Sequence, residues 1–468
     1  MTELQKRLME DQLNTELFQE LVHQGVAYLR EARQRHVYPT AEALEQLSVF
    51  DEPLPVHAAP AKTILHQLHQ VGAPATVTSA GGRYFGFVTG GALPAGIGAK
   101  LLGTFWDQGT AMQVMSPIAA KLEGVVEKWL KQIFRLPDST VAGFVTGSSA
   151  ANLFGLAAGR FRLYQNLGWE VARRGLVNAP SLKIVTGREA HSTVLKAISL
   201  LGFGVDSITY VDTDDQGRLR PELLPEPDER TLLILQAGNV NSGSFDDFRA
   251  MAARAEKAGA WVHIDGAFGL WAAAAQKLSY LTDGIGFAHS WAVDGHKTLN
   301  TPYDCGMVLC RDAEALRGAL HMQGGYLVTG AQRDGMFFTP DMSRRARILE
   351  LWAVMKYLGE AGIDELVTTL HERARQFARG LAAVPGISIL NDVVFNQVVV
   401  AADSDEMTER LLQGVQEQRV CWVGGSSWRG RRVIRISVCS WATTEEDVAV
   451  SVKSFEKAMR TLQTAQGG

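Results

Sequence analysis

The chain is poor in cysteine, has no long apolar run and carries no excess of basic residues. Its four cysteines among 468 residues form no Cys-x-x-Cys pair, which predicts reduced core thiols and a cytoplasmic location. No stretch approaches the roughly 18 consecutive apolar residues of a membrane span. The formal net charge of −4 and the pI near 6.3 give no basic surface for nucleic acid. The N-terminal segment is rich in charged and amide side chains, so we expect neither a signal peptide nor a transit peptide.

The pattern of apolar segments predicts an α/β protein in three regions. Residues 1–80 are predicted to form an N-terminal helical arm, because leucines recur there at helical spacing. Residues 81–350 alternate helical stretches with short apolar runs, which favours a mostly parallel sheet covered on both faces. Residues 351–468 begin with a long helix and continue into strand-like runs, which predicts a small C-terminal α/β domain. The predicted strands of the large region are 182–186, 207–211, 232–236, 261–264 and 306–310, and the predicted helices are 118–133, 191–200, 246–258 and, in the last region, 351–381.

A lysine that follows an aspartate by 32 positions is the most informative feature of the chain. Asp265 closes an apolar run, and Lys297 stands in the motif Asp294-Gly-His296-Lys297. Pyridoxal phosphate (PLP) chemistry needs both residue types, since a lysine amine forms the Schiff base with the cofactor aldehyde and a buried carboxylate keeps the pyridine nitrogen protonated. Each residue alone has a common structural explanation, as a solvated loop charge or as a helix cap.

Two further elements occur in the order that a PLP site requires. Residues 144–152 place Gly147, Ser148 and Ser149 where a predicted strand gives way to a helix. Such a turn offers free backbone N–H groups and the positive end of a helix dipole to a phosphate. His191 follows the next predicted strand, where its imidazole is placed to lie flat on a ring.

Taken together, these motifs resemble the group II PLP-dependent amino-acid decarboxylases, which include aromatic-L-amino-acid, histidine and glutamate decarboxylases. The resemblance runs from the Arg83-Tyr-Phe segment to Val433-Ile-Arg435. It implies the PLP-dependent transferase fold of type I and an obligate homodimer with active sites at the subunit interface. The substrate would then be an amino acid.

The resemblance also implies a role for each motif residue. Lys297 would bear the cofactor, Asp265 would contact the pyridine nitrogen and His191 would stack on the ring. The phosphate would lie against Ser148, Ser149 and His296. The other cofactor-binding residues would be Gly147, Asp294, Ala267 beneath the ring and Asn239 near the phenolic oxygen.

The resemblance extends to the catalytic loop through Tyr326, which lies 29 positions after Lys297. In the decarboxylases a tyrosine there returns a proton to the substrate Cα after CO2 has left, whereas relatives with phenylalanine tend to form aldehydes. Tyr326 therefore predicts simple decarboxylation of an L-amino acid to an amine. A tyrosine on an ordinary surface loop would show the same spacing.

The chain departs from the family pattern at three places, and these leave the substrate open. Ala150 stands where many members have glutamate, Gly82 stands where histidine often precedes Arg-Tyr-Phe, and Ser440-Trp-Ala-Thr443 replaces Asn-Trp-Arg-Thr. Residues 106–113 match a family segment that lines the partner's pocket, with small residues where aromatic decarboxylases place larger ones.

Two other functions are compatible with parts of the sequence. Arg435 is a candidate for the arginine with which aminotransferases hold the substrate α-carboxylate. The turn at Thr146-Gly-Ser-Ser is a candidate phosphate loop of a nucleotide-binding protein, although it has neither Gly-x-x-x-x-Gly-Lys nor Gly-x-Gly-x-x-Gly. The decarboxylase motifs favour a decarboxylase over both an aminotransferase and a nucleotide-binding protein.

Overall fold

A computed structural model describes residues 1–320 and 333–466 of the protein. Its centre is a seven-stranded sheet with strand order β1-β7-β6-β5-β4-β2-β3. The strands are β1 (Val141–Val145), β2 (Lys183–Gly187), β3 (Ile208–Val211), β4 (Thr231–Gln236), β5 (Trp261–Asp265), β6 (Ser290–Asp294) and β7 (Gly306–Cys310). The pairs β2/β3, β2/β4, β4/β5 and β5/β6 are parallel, and β7 pairs antiparallel with β1 and β6. The prediction of a mostly parallel sheet is confirmed.

The five predicted strands of this sheet are present within one or two residues of their expected bounds. Their apolar side chains make continuous runs because the central strands are buried on both faces. Strand β6 was not among them, since its sequence Ser-Trp-Ala-Val-Asp begins and ends on polar residues, yet all five are buried.

Helices cover both faces of this sheet and lead away from it. They are α5 (Pro94–Trp106), α6 (Pro117–Phe134), α7 (Ser148–Asn166), α8 (Val171–Arg174), α9 (Ser192–Leu200), α10 (Phe248–Lys257), α11 (Ala313–Leu320) and α12 (Ile348–Ala382). Helix α7 lies directly on β5, and two of its glycines make this approach possible. A Cβ added at Gly155 would lie 2.6 Å from His263 Cε1, and one at Gly159 would lie 2.6 Å from Trp261 Cδ1.

The N-terminal region is helical, as predicted, but its leucine stripe belongs to two helices. These are α1 (Glu3–Gln12) and α2 (Thr15–Glu31), and they are followed by the short α3 (Ala41–Glu45) and α4 (Ala61–Gln67). Asn14 separates α1 from α2, because its side chain accepts a hydrogen bond from the Leu17 backbone N–H and so caps α2. Leu8 and Leu13 are exposed in the single chain, whereas Leu17 is buried.

The C-terminal region has its own antiparallel sheet, of order β10-β11-β9-β8. Its elements are β8 (Ser388–Ile389), β9 (Gln397–Ala401), α13 (Asp405–Glu417), β10 (Gly424–Trp428), β11 (Arg431–Ser437) and α14 (Glu445–Gln466). Helix α12 enters this region after a kink at Gly359, where φ is 62°. Phe85 packs edge-on against Phe377 in the same core, so the segment before α5 joins the small sheet. The expected small α/β unit is present, and the boundaries at 80 and 350 stay predictions.

Candidate active site at the carboxyl edge of the large sheet

The candidate residues lie at or just after the carboxyl ends of parallel strands, at one edge of the large sheet. Asp265 is the last residue of β5 and Asp294 is the last residue of β6. His191 follows β2 and Asn239 follows β4. Because the carboxyl ends of parallel strands lie at the same edge, residues from four distant parts of the sequence come together there.

Lys297 lies in the connection between β6 and β7 and points back to the end of β6. Its Nζ is 2.9 Å from Oδ2 of Asp294, whose side chain is only 1% exposed. Burial would lower the pKa of the Lys297 ammonium, but Asp294 and Asp265 outweigh burial and hold the pKa above its ordinary value. Apart from the ion pair, neither Asp294 oxygen has a hydrogen-bond partner among the described residues. The site therefore holds a largely buried lysine, whose side chain is 20% exposed, and spare acceptor positions beside its amine.

Asp265 presents a buried carboxylate whose orientation is fixed by its own turn. One of its oxygens accepts a hydrogen bond from the Ala267 backbone N–H at 3.2 Å, and the Ala267 carbonyl accepts the Asp294 N–H at 2.8 Å. The carboxylate lies close enough to Lys297 and His191 for its charge to favour the protonated form of each, although burial still holds the pKa of His191 below its ordinary value. A fixed anion at this position fits a partner for a protonated pyridine nitrogen.

The phosphate turn is formed where β1 passes into α7. Gly147 precedes the helix and Ser148 and Ser149 are its first two residues, so their backbone N–H groups have no intrahelical acceptor. The Ser148 side chain is buried and that of Ser149 is exposed. These donors, together with the helix dipole, suit a phosphate.

His296 faces the same turn in a defined tautomer. Its Nδ1 accepts the Cys305 backbone N–H at 3.1 Å, so in the neutral ring the proton is on Nε2. A Cβ added at Gly147 would lie 3.2 Å from His296 Cε1 and 3.6 Å from Asp294 Oδ1. The glycine thus leaves open the space between the turn, the imidazole and the carboxylate.

These observations fit PLP. The amine, the buried anion, the N–H groups of a helix terminus and the open space at Gly147 match the aldehyde, pyridine nitrogen and phosphate of that cofactor. Among the described residues no cluster of His, Cys, Asp and Glu has the arrangement of a metal site.

His191 caps α9 and lies among the charges of the site. Its Nδ1 is 2.8 Å from Thr193 Oγ1 and accepts the Thr193 backbone N–H at 3.3 Å. Burial lowers the pKa of the imidazole, Asp265 opposes that shift, and Lys297 and Arg435 add to it. The neutral ring is therefore favoured.

Asn239 is buried, and its side chain organises the loop after β4. Its Oδ1 accepts the backbone N–H groups of Asn241 at 2.9 Å and Ser242 at 3.2 Å, and its Nδ2 lies 3.4 Å from the Glu189 carbonyl. Its role beside the phenolic oxygen stays a prediction. Tyr326 lies outside the described residues, so its role also stays a prediction.

Two site residues were not found from the sequence. Tyr303 stacks on His296 with ring centroids 4.3 Å apart, and partial burial raises the pKa of its phenol. The side-chain oxygen of Asn300 accepts the N–H groups of Gly91 at 2.6 Å and Trp441 at 2.9 Å. Its amide nitrogen donates to the carbonyls of Lys297, Thr298 and Cys439. It thereby joins the Lys297 turn to two distant segments. The only sequence signal for Asn300 and Tyr303 is that they lie three and six residues after Lys297.

We expect the Gly147→Ala variant to bind PLP more weakly, by about tenfold or more, because its Cβ enters the space left for the phosphate. Absorbance titration of the apoprotein with PLP measures this change. Gly124→Ala is the matched control, since a Cβ there would meet nothing within 4 Å. Equal PLP affinity in both variants would contradict the location of the phosphate.

Comparison with known proteins is consistent with this site. The family described as the pyridoxal-dependent decarboxylase conserved domain matches residues 44–402. The chain is 25% identical to an aromatic-L-amino-acid decarboxylase of Bacillus atrophaeus, over 94% of this chain and 95% of the relative. It is also 25% identical to a phenylacetaldehyde synthase of Arabidopsis thaliana, over 78% of this chain and 77% of the relative.

A solved structure shows the same fold. The TDC of Oryza sativa, crystallised with PLP and tryptamine, superimposes with a TM-score of 0.87 at 22% identity and covers 96% of this chain and 99% of its own. The family match extends over more than half of the chain and includes β1 to β9. The protein therefore belongs to the pyridoxal-dependent decarboxylase family and is a PLP-dependent carboxy-lyase.

Proposed function

We propose that the protein decarboxylates an L-amino acid to the corresponding amine and CO2. The observation that supports this most strongly is the convergence of Lys297, Asp265 and His191 beside the phosphate turn. PLP, when bound, supplies an electron sink for a bond broken at the substrate Cα. The protein determines which bond at Cα is broken, through the way its residues orient the substrate.

The protein's residues would divide the work by position. Lys297 would hold the cofactor through its Nζ and would release it to the substrate amine. Asp265 would favour a positive charge on the ring nitrogen, and the phosphate turn with His296 would hold the phosphate. His191 would cover one face of the ring and exclude water from it.

Measuring CO2 and amine with each of the twenty L-amino acids tests the proposal. We expect equal yields of the two products for the best substrate. Formation of an α-keto acid without CO2 would contradict decarboxylation and identify an aminotransferase.

Aminotransfer is the second candidate, and one observation favours it. Arg435 on β11 donates to the Val240 carbonyl at 3.1 Å, and among the described residues no carboxylate forms an ion pair with it. Burial lowers the pKa of its guanidinium, and the same charge acts on His191. A cation this close to His191 is placed to hold a substrate carboxylate. The family match gives decarboxylation the stronger support.

We expect Tyr326→Phe to shift the product from amine toward aldehyde. The phenol is proposed to return the proton to Cα, and without it the carbon stays open to oxygen, as the relatives with phenylalanine suggest. Separate quantification of amine and aldehyde measures the shift. An unchanged amine yield and rate would assign Tyr326 to an ordinary surface loop.

We also propose a homodimer, formed through the apolar surface of α1, α2 and α5. Phe18 of α2 packs edge-on against Phe105 of α5 with ring centroids 5.4 Å apart, so α2 and α5 form one surface, and α1 precedes α2 in the chain. Its exposed members include Leu4, Leu8, Leu13, Val22, Leu101, Leu102, Phe105 and Trp106. Exposed apolar surface of this extent is typical of protein interfaces. The adjoining residues 106–113 would then reach the partner's site.

We expect Leu102→Glu to weaken the dimer by about tenfold or more, because a charge would enter a desolvated interface. Sedimentation velocity across a dilution series measures the change. Val177→Glu is the control, since Val177 is exposed elsewhere in the chain. A wild-type monomer that is active at low concentration would contradict the proposal.

A cytoplasmic location is proposed from the cysteines. All four are buried free thiols, as expected for a reducing compartment. No helix among the described residues is long and apolar enough to span a membrane.

A further inference from the structure

A line of buried hydrogen bonds lies between α7 and strands β5 and β6. Nε1 of Trp261 is 3.1 Å from Oγ of Ser290, which is 2.8 Å from Nδ1 of His263. Nε2 of His263 is 2.9 Å from Oδ1 of Asn152 on α7. All four residues are at most 2% exposed, so this half of the line is shielded from water.

The line continues from Asn152 into the active site. Nδ2 of Asn152 is 3.4 Å from Oγ1 of Thr193, and this hydroxyl is 2.8 Å from Nδ1 of His191. Five side-chain hydrogen bonds thus connect the indole of Trp261 to the imidazole proposed to cover the cofactor ring.

Groups that can only donate fix the direction of the line. The Thr193 backbone N–H donates to Nδ1 of His191, so this nitrogen carries a lone pair and the Thr193 hydroxyl donates to it as well. The hydroxyl oxygen must then accept from the amide nitrogen of Asn152.

The same reasoning orders the inner half. With its amide nitrogen donating to Thr193, Asn152 uses its oxygen to accept from Nε2–H of His263. Burial lowers the pKa of His263 to about 3, so the ring is neutral and, with Nε2 protonated, its Nδ1 must accept. The Ser290 hydroxyl donates to this Nδ1 at 2.8 Å in preference to the Gly155 carbonyl, which lies 3.3 Å away. Ser290 accepts the Trp261 indole N–H, which can only donate. Every proton in the line points toward His191.

We propose that this line holds His191 as the neutral tautomer with its proton on Nε2, and that Thr193, Asn152 and His263 are its positioning residues. The inference deepens the proposed function, since it rests on the role of His191 beside the cofactor. In this tautomer the imidazole of His191 presents an N–H donor at Nε2, and not a lone pair, to the groups that face that edge of the ring.

Charged groups around His191 act in opposite directions on its protonation, so hydrogen bonds that favour one tautomer have an effect there. Asp265 from β5 and Asp294 from β6 favour a protonated ring, whereas Lys297 and Arg435 oppose it. Two hydrogen bonds donated to Nδ1 stabilise the neutral form further. Gly155 leaves room for the line, because a Cβ there would lie 2.7 Å from His263 Nδ1.

Solid-state NMR of the holoenzyme labelled with ¹⁵N-histidine reads the tautomer directly. Comparison with His191→Gln assigns the His191 signals. We expect an unprotonated Nδ1 and a protonated Nε2 in the wild type. A protonated Nδ1 would overturn the proposal.

Asn152→Asp tests the direction of the line. An ionised carboxylate can only accept, so the Thr193 hydroxyl would turn toward it and would no longer donate to Nδ1 of His191. The loss of this donor and the added negative charge both favour the protonated imidazole, so we expect the Nδ1 signal to move toward the protonated form at a pH at which the introduced carboxylate is ionised. An unchanged signal in a folded, PLP-binding variant with an ionised carboxylate would overturn the proposal.

Thr193→Val provides a second test if the buried aspartate prevents folding. It keeps the shape and the backbone N–H but removes the hydroxyl, so we expect the NMR-titrated pKa of His191 to rise by about half a unit to one unit. Thr193→Ser keeps the hydroxyl and should titrate as the wild type does. Equal His191 titrations in the Val and Ser variants would overturn the proposal. These readouts need no turnover, so a failure of the proposed decarboxylation would be seen separately in the product assay.

Discussion

We expect the Lys297→Ala variant to lose detectable turnover and the visible absorbance of the lysine-bound cofactor. Lys297 is a largely buried amine at the carboxyl edge of the sheet, 2.9 Å from Asp294 and within electrostatic reach of Asp265. Its removal takes away the group that we propose to hold the cofactor covalently and to release it to the substrate. Absorbance spectra and turnover with the best substrate measure both losses.

Lys196→Ala is the control for this variant. Lys196 lies on α9, five residues after His191, and its side chain is exposed, so we expect wild-type spectra and rates. Borohydride reduction should leave the Lys297→Ala protein unlabelled. Covalent labelling at a different lysine, with turnover retained, would contradict the assignment of Lys297.

The Asp265→Asn variant should still bind PLP but turn over more slowly, by about 10²–10³-fold. Asparagine keeps the oxygen that accepts the Ala267 N–H, so the turn after β5 is preserved. A neutral amide no longer favours a positive charge on the ring nitrogen, and the electron sink is weakened.

The role of Asp265 is tested by measuring PLP affinity and kcat separately. PLP titration of the apoprotein should give an affinity within about tenfold of the wild type, while kcat with the best substrate falls. Asp283→Asn is the control, because that carboxylate is exposed and pairs with Arg249. A wild-type kcat in Asp265→Asn would mean that another carboxylate faces the ring nitrogen.

Local sequence predicted the strands of the large sheet well, and it also indicated which residues would lie near their carboxyl ends. Strands such as β4 and β5 are buried along their whole length, and their sequences therefore contain continuous apolar runs. Asp265 ends such a run, and Lys297 lies in a short connection. The sheet edge then brings such residues together whatever their distance in sequence.

The antiparallel direction of β7 was not predicted, although the sequence contains a reason for it. The connection from β6 to β7 comprises only residues 295–305. A parallel return needs a crossover of a dozen or more residues. The short connection therefore forces β7 to run back along β6, and it keeps Lys297 close to Asp294.

The hydrogen-bond line could not be predicted from one sequence. Asn152, Thr193 and His263 lie in separate elements, and each residue type has common structural uses. Their connection depends on how closely α7 approaches β5, which only the packing at Gly155 reveals.

Identification of the lysine that carries the cofactor would decide whether Lys297 forms the covalent link to PLP. The wild-type holoenzyme would be reduced with borohydride, digested and mapped by mass spectrometry. We expect one phosphopyridoxyl group, on Lys297 in the peptide that follows β6. A modification on any other lysine, or none in a protein that turns over with PLP, would contradict it.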